Sequence, residues 1–152
     1  MKITLDTNIL VSAFISKQGQ PAILELILTF PEIELILSEQ ILAEFKEVMS
    51  RPEVKKRFEY TSKDINQFGD ALRDASTITK PSSNFNVVKD DPKDDIIINT
   101  AYDGKADYIV SGDTHLQSLK RFRTILIVKP RSMLSIIKRR FGELIIPKEK
   151  LD

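Results

Sequence analysis

A three-layer α/β/α sandwich around a mostly parallel sheet is the architecture this sequence predicts. Short apolar runs alternate with helix-periodic segments along the whole chain. The runs are near-continuous rather than alternating polar with apolar, as in strands buried on both faces of a parallel sheet. Repeats and low-complexity tracts are absent.

"ITL" (Ile3 to Leu5) is the first strand, and Asp6 follows it directly before the chain turns apolar again. Pro21 can open a helix through Ile23, Leu24, Ile27 and Leu28. "IELIL" (Ile33 to Leu37) is the second strand. Ser38 then caps a helix that places Ile41, Leu42, Phe45, Val48 and Met49 on one face. "SKDINQFGDALRDAS" presents Ile65, Phe68 and Leu72 in the same way. "STIT" (Ser76 to Thr79) is a weaker strand stopped by Pro81, and Lys80 to Asp91 reads as a loop. Asp91-Pro92 supplies a cap and a first helical turn, and Gly104 stands where that helix should stop. Strands at Tyr108 to Val110 and Thr124 to Val128 follow. A last helix, "SMLSIIKRRFG", is expected to end near Gly142, with an extended or loosely docked tail beyond it. Residues 1–142 are thus expected to form one domain and 143–152 a C-terminal tail.

The 152 residues suffice to bury roughly two-thirds of the unfolded surface. With 41% hydrophobic and 30% charged residues, the composition is that of an ordinary globular chain. The net charge of +1 gives no global field, so any nucleic-acid surface must be a local patch. The absence of Cys excludes disulfides, zinc-thiolate sites and thiol nucleophiles. His115 is the single imidazole, which excludes His-rich metal sites. No run approaches the ~18 apolar residues of a membrane span, and no signal-peptide core is visible, so a cytoplasmic protein is expected.

In a parallel sheet, ligands bind beyond the carboxyl ends of the strands. Asp6 and Asp113 both follow strands, and both would sit on that edge. At about 100° per residue, Glu44 lies at the border of its helix's buried stripe, beside Ile41 and Val48. Asp94 projects between Ile97, Ile98 and Ala101, whereas Asp95 lies nearer Asn99 and Tyr102. A carboxylate on an apolar face needs a partner, either backbone amides at the helix start or a cation. Asp6 and Asp113 could equally serve as helix caps, the latter for a helix through Leu116 and Leu119. No Arg or Lys of these motifs is expected to lie among the four acids. Four anions in one cleft would repel and raise one another's pKa unless neutralised. An all-oxygen site without Cys or His suits Mg²⁺ or Mn²⁺. Such ions promote phosphodiester hydrolysis by acidifying water and stabilising phosphate charge.

The segments "LDTNIL", "ILAEF", "DPKDDIIINTA" and "ADYIVSGDTHL", in that order, resemble the PIN-domain family over residues 2 to about 134. Within it they resemble the toxin components of toxin–antitoxin systems, related to the VapC-like ribonucleases. The resemblance implies a PIN-like α/β/α sandwich with an acidic site that uses one or two Mg²⁺ or Mn²⁺ ions to hydrolyse RNA. It places the family's acids on Asp6, Glu44, Asp94 and Asp113, as metal ligands and catalytic residues. Asp94 is selected over Asp95 by its spacing of seven residues to Ala101. The family's supporting polar residues fall on Asn8 and Ser111, and Asp95 is a first-turn acid with a further supporting role open to it. His115 stands where related sequences often carry an acid. A cognate antitoxin protein and a homodimer are also implied.

Three basic clusters remain: Lys55 to Arg57, Lys120 with Arg121 and Arg123, and Lys138 to Arg140. The second follows Asp113 closely, so Lys120, Arg121 and Arg123 are expected to contact phosphates beside the site. The function expected is that of a metal-dependent endoribonuclease, the toxin of a toxin–antitoxin pair. The alternatives are a housekeeping RNA-processing or DNA flap nuclease, or a non-catalytic cation- or partner-binding module.

Overall fold

The computed structural model describes residues 1–16, 22–88 and 91–145. The expected opening at Pro21 and the tail from residue 146 lie outside them. Six strands form one sheet: β1 (Lys2–Leu5), β2 (Glu34–Ser38), β3 (Thr77–Thr79), β4 (Tyr108–Val110), β5 (Arg121–Phe122) and β6 (Ile125–Val128). Their order is β3-β2-β1-β4-β6-β5, parallel throughout except for the antiparallel β5–β6 pair. Ile3, Leu5, Ile109 and Val110 are fully buried, as central parallel strands covered on both faces require.

The chain moves outward from β1 through β2 to β3, then returns to lay β4 against the other side of β1. That reversal is a topological switch point. In open parallel sheets ligands bind at such a point, beyond the carboxyl ends of the strands, here those of β1 and β4. Three helical segments line the first half: α1 (Thr7–Ile15), α2 (Ala22–Thr29) and α3 (Glu39–Met49). Next come α4 (Pro52–Phe58) and α5 (Ser62–Ala75). After β3 come α6 (Pro92–Asp103), α7 (Thr114–Leu119) and α8 (Pro130–Ile145).

Local chemistry explains most boundaries. Ser38 Oγ accepts from the Ile41 amide and starts α3, and Ile41, Leu42, Phe45 and Met49 are buried while Val48 is only partly so. Thr61, one residue before the expected start, forms a reciprocal capping box with Asp64 at the head of α5. Asp91 caps α6 by accepting from the Lys93 amide, with Pro92 at the first helical position. Gly104 ends α6 in a right-handed conformation. Its need is for space: a Cβ there would collide with Ile36 Cγ2 and Thr79 Oγ1.

The structure departs from the sequence expectation in several elements. α1 was not distinguishable as a helix, because "TNILVSAFI" carries apolar residues nearly all round and lacks a stripe. α4 buries no residue and so has no apolar face to detect. β5 has two residues and exists through its pairing with β6. The last helix begins at Pro130 and runs past Gly142 to Ile145, since one glycine costs only about 1 kcal/mol within a packed helix.

Candidate active site

Asp6 leaves β1 with its amide bonded to the Val110 carbonyl at 3.0 Å, which binds the ends of β1 and β4 together. It occupies the N-cap position of α1, yet its side chain makes no capping hydrogen bond. Instead Asp6 Oδ2 accepts from Ser111 Oγ at 2.7 Å. Ser111 Oγ in turn accepts from the Asp113 amide at 3.0 Å, and the Ser111 carbonyl accepts from Gln117 Nε2 at 2.8 Å. The turn after β4 is thereby braced from both sides. Asp113 Oδ1 accepts from the amides of His115 and Leu116, at 2.8 and 3.1 Å. Asp113 is therefore a true cap of α7, and the cap fixes its carboxylate at the sheet edge.

Glu44 projects from α3, half-buried, and Glu44 Oε2 accepts from Thr7 Oγ1 at 3.0 Å. Asp94, in the first turn of α6, is only 6% exposed. Its Oδ2 is buried without a hydrogen-bond partner, a condition shared among the described residues only by Thr4 Oγ1 in β1. These four carboxylates act on one another electrostatically. Burial raises the Asp94 carboxyl to about 7, with the charges of Asp113, Asp91 and Asp6 and a proton-sharing contact with Asp113 adding to it. Burial also raises Asp6, where the Ser111 hydrogen bond and the Thr7 and Asn8 amides oppose the shift and the Asp113 charge adds to it. Glu44 is raised chiefly by burial, against the Thr7 hydroxyl and the Lys93 charge and with Asp6 and Asp91 adding.

Three of these participants were not among the expected site residues. Thr7 is tied to Glu44. Asp91 adds negative charge to both Asp94 and Glu44, and the exposed Lys93 brings a cation to the rim. Only the "PKDD" spacing, with a cap residue and a lysine flanking Asp94, could have pointed to the last two.

Asn8 sits in the first turn of α1 with its side chain exposed. Asp95 is buried, and its Oδ1 accepts from the amides of Val87 and Val88 at 2.8 and 2.9 Å. It therefore anchors the segment before α6. Asn99 clasps the amide and carbonyl of Phe85, and Asp103 accepts from Ser82 and Ser83. Residues 95, 99 and 103, spaced four apart on one helical face, thus strap residues 82–88 along α6.

Within the cluster expected to contact phosphates, Arg123 is placed away from the acids. β5 runs antiparallel to β6, so the chain heads away from the acidic edge between Lys120 and Arg123. Lys120 caps the end of α7 and Arg121 pairs with Leu126 in mid-strand. Arg123 lies over the rings of Phe85, Tyr102 and Phe122, its guanidinium carbon 4.9, 5.0 and 5.6 Å from their centroids. Tyr102 is eight residues beyond Asp94 on α6, about 12 Å further along the helix axis. Arg123 is therefore at the opposite edge of the sheet from the acids.

Among the described residues, no three His, Cys, Asp or Glu side chains stand close enough together to hold a metal as they are placed. The donor set fits a hard divalent ion in kind: it is all oxygen, anionic, and includes the buried, unbonded Asp94 Oδ2. Asp6, Glu44 and Asp113 are each held by a separate donor: Ser111, Thr7 and the α7 amides.

The acids thus stand beyond the carboxyl ends of β1 and β4, at the switch point of the parallel sheet, where such folds bind ligands. The PIN domain profile matches residues 2–115 of the chain. An uncharacterised protein of Methanocaldococcus jannaschii, MJ1680, is 36% identical over 121 residues, which span 79% of this chain and 76% of that protein. A crystal structure of VapBC2 from Rickettsia felis, bound to a DNA fragment from their promoter, superposes with a TM-score of 0.57. That alignment covers 85% of this chain and 98% of the other at 17% identity, a likeness of fold. The chain belongs to the PIN-domain family, a family of nucleases. No helix of the described residues is long and apolar enough to cross a membrane.

Proposed function

We propose that the chain is a metal-dependent endoribonuclease acting as the toxin of a toxin–antitoxin pair. The observation that carries this is Asp94: a nearly buried carboxylate with an unbonded oxygen, facing the charges of Asp113, Asp91 and Asp6. A bare structural acid has no reason to be held so, whereas a cation ligand does. Asp6, Asp94 and Asp113 would hold one or two Mg²⁺ or Mn²⁺ ions, with Glu44 as a further ligand or as the base that orients water. Such an ion, when bound, acidifies water and offsets charge on the scissile phosphate.

The chain's own residues supply the geometry. Ser111 holds Asp6 by its hydroxyl, and the α7 amides hold Asp113. Asp94, its carboxyl raised to about 7 in the ion-free chain, would give up its proton on binding a cation. Water, passing a proton to Glu44, would add to phosphorus as the bond to the leaving oxygen breaks and that oxygen takes up a proton. Lys93 is the basic residue at the rim best placed for a phosphate contact. The VapBC2 likeness supports an antitoxin protein as partner, and a homodimer and a cytoplasmic location complete the proposal.

The test is cleavage of RNA and single-stranded DNA in Mn²⁺, Mg²⁺ and EDTA, wild type beside Asp94→Asn. RNA cleavage that needs metal and disappears in the variant is expected. Equal inactivity of both proteins, with identical metal titrations, would overturn the proposal. Expression in cells separates the toxin from a processing nuclease: growth should arrest with the wild type and continue with Asp6→Asn.

A further inference from the structure

Resting on that function, we propose that Thr7 is the positioning residue that holds the Glu44 carboxylate at the site. Thr7 is 3% exposed, the first residue of α1, and directly follows Asp6. Its hydroxyl donates to Glu44 Oε2 at 3.0 Å. This is the one hydrogen bond to the Glu44 side chain among the described residues, and it leaves Oε1 available.

Three physical features make Thr7 suited to this. A threonine inside a helix commonly turns its hydroxyl back to a carbonyl one turn earlier. At the first position of α1 that turn does not exist, because the preceding residues are β1, so the hydroxyl is committed across the interface to α3. The branched Cβ restricts the side chain's rotation, so the donor is aimed in advance. Being bonded to Asp6 through one peptide unit, Thr7 also sets the position of Glu44 relative to the buried carboxylate beside it. Glu44 needs this restraint. The negative charges of Asp6 and Asp91 both push against it, and its flexible, half-buried side chain has open solvent to escape into.

A bond that merely joins α1 to α3 would look the same in a static view, so the test is a double-mutant cycle of Thr7→Val and Glu44→Gln, with Thr7→Ser as the conservative control. The readouts are Mn²⁺ affinity by calorimetry and kcat and KM on an RNA substrate. Thr7→Val should weaken Mn²⁺ binding and lower kcat by about 10–100-fold, the range for residues that orient a ligand, with KM for RNA unchanged. Thr7→Ser should recover activity to within about threefold of wild type. In the Glu44→Gln background, Thr7→Val should add no further loss. An equal loss in both backgrounds, or wild-type Mn²⁺ affinity and kcat in Thr7→Val, would overturn the proposal while leaving the nuclease function standing. If Thr7→Val melts below the assay temperature, Thr7→Ala is put through the same cycle and judged by the same outcomes. A wild type that neither binds Mn²⁺ nor cleaves RNA overturns both.

Discussion

The Ser111 hydroxyl donates to Asp6 Oδ2 at 2.7 Å, joining residues 105 positions apart in the chain. The bond forms because β1 and β4 are parallel neighbours, so the residues just past their carboxyl ends fall side by side. One hydroxyl serves both strand ends, accepting from the Asp113 amide while donating to Asp6. The acidic edge is thus set by backbone pairing first and by side chains second.

Ser111→Ala removes a donor from a buried carboxylate. The expected cost is about 1–3 kcal/mol of stability, together with a 10–100-fold fall in metal affinity or cleavage. Thermal melting and Mn²⁺ calorimetry check both, and an unchanged metal affinity would mean that Asp6 keeps its place without the hydroxyl.

The Asp94 carboxyl is raised from its ordinary value to about 7, so between about pH 4 and 7 the folded protein holds a proton that the unfolded chain has released. Stability of the metal-free protein should therefore fall through this group as pH rises across that window, then level off above it. Asp94→Asn removes the penalty. At pH 8 without metal it should be more stable than wild type by about 1 kcal/mol after allowance for solvent screening, ~2–4 °C in Tm. The gain should vanish near pH 4. Added Mn²⁺ should raise the Tm of wild type and not of the variant.

Asp95 and Asp94 are adjacent but separable. Asp95→Ala strands the amides of Val87 and Val88, which should cost about 1–3 kcal/mol and speed hydrogen exchange at residues 85–88. Asp95→Asn keeps an acceptor and should be milder. Cleavage at a temperature well below melting should survive either change, in contrast to Asp94→Asn.

Arg123 and Lys93 divide the roles of stability and substrate contact. Arg123→Ala loses its stacking on Phe85, Tyr102 and Phe122, each worth about 0.5–1 kcal/mol at an exposed site, and should lower Tm with KM for RNA unchanged. Lys93→Ala should leave Tm unchanged, raise KM and reduce the salt slope of RNA binding by about one. A raised KM in Arg123→Ala would return Arg123 to the substrate path.

Local pattern determined much of this molecule. Apolar runs located β1, β2, β4 and β6, the Asp91-Pro92 pair located α6, and the helical wheel separated Asp94 from Asp95, because strand burial and helix capping depend on residues a few positions apart. Tertiary structure decided the rest. β5 owes its existence to a partner strand, and its antiparallel direction carried Arg123 to the edge away from the acids that Asp113's nearness in sequence had suggested. The same holds for Thr7 with Glu44, and for Asp95, Asn99 and Asp103 with residues 82–88. A threonine or a first-turn aspartate offers the same hydrogen-bonding groups wherever it stands. Which group it meets is settled when helices and strands distant in sequence pack against one another, and no local periodicity encodes that choice.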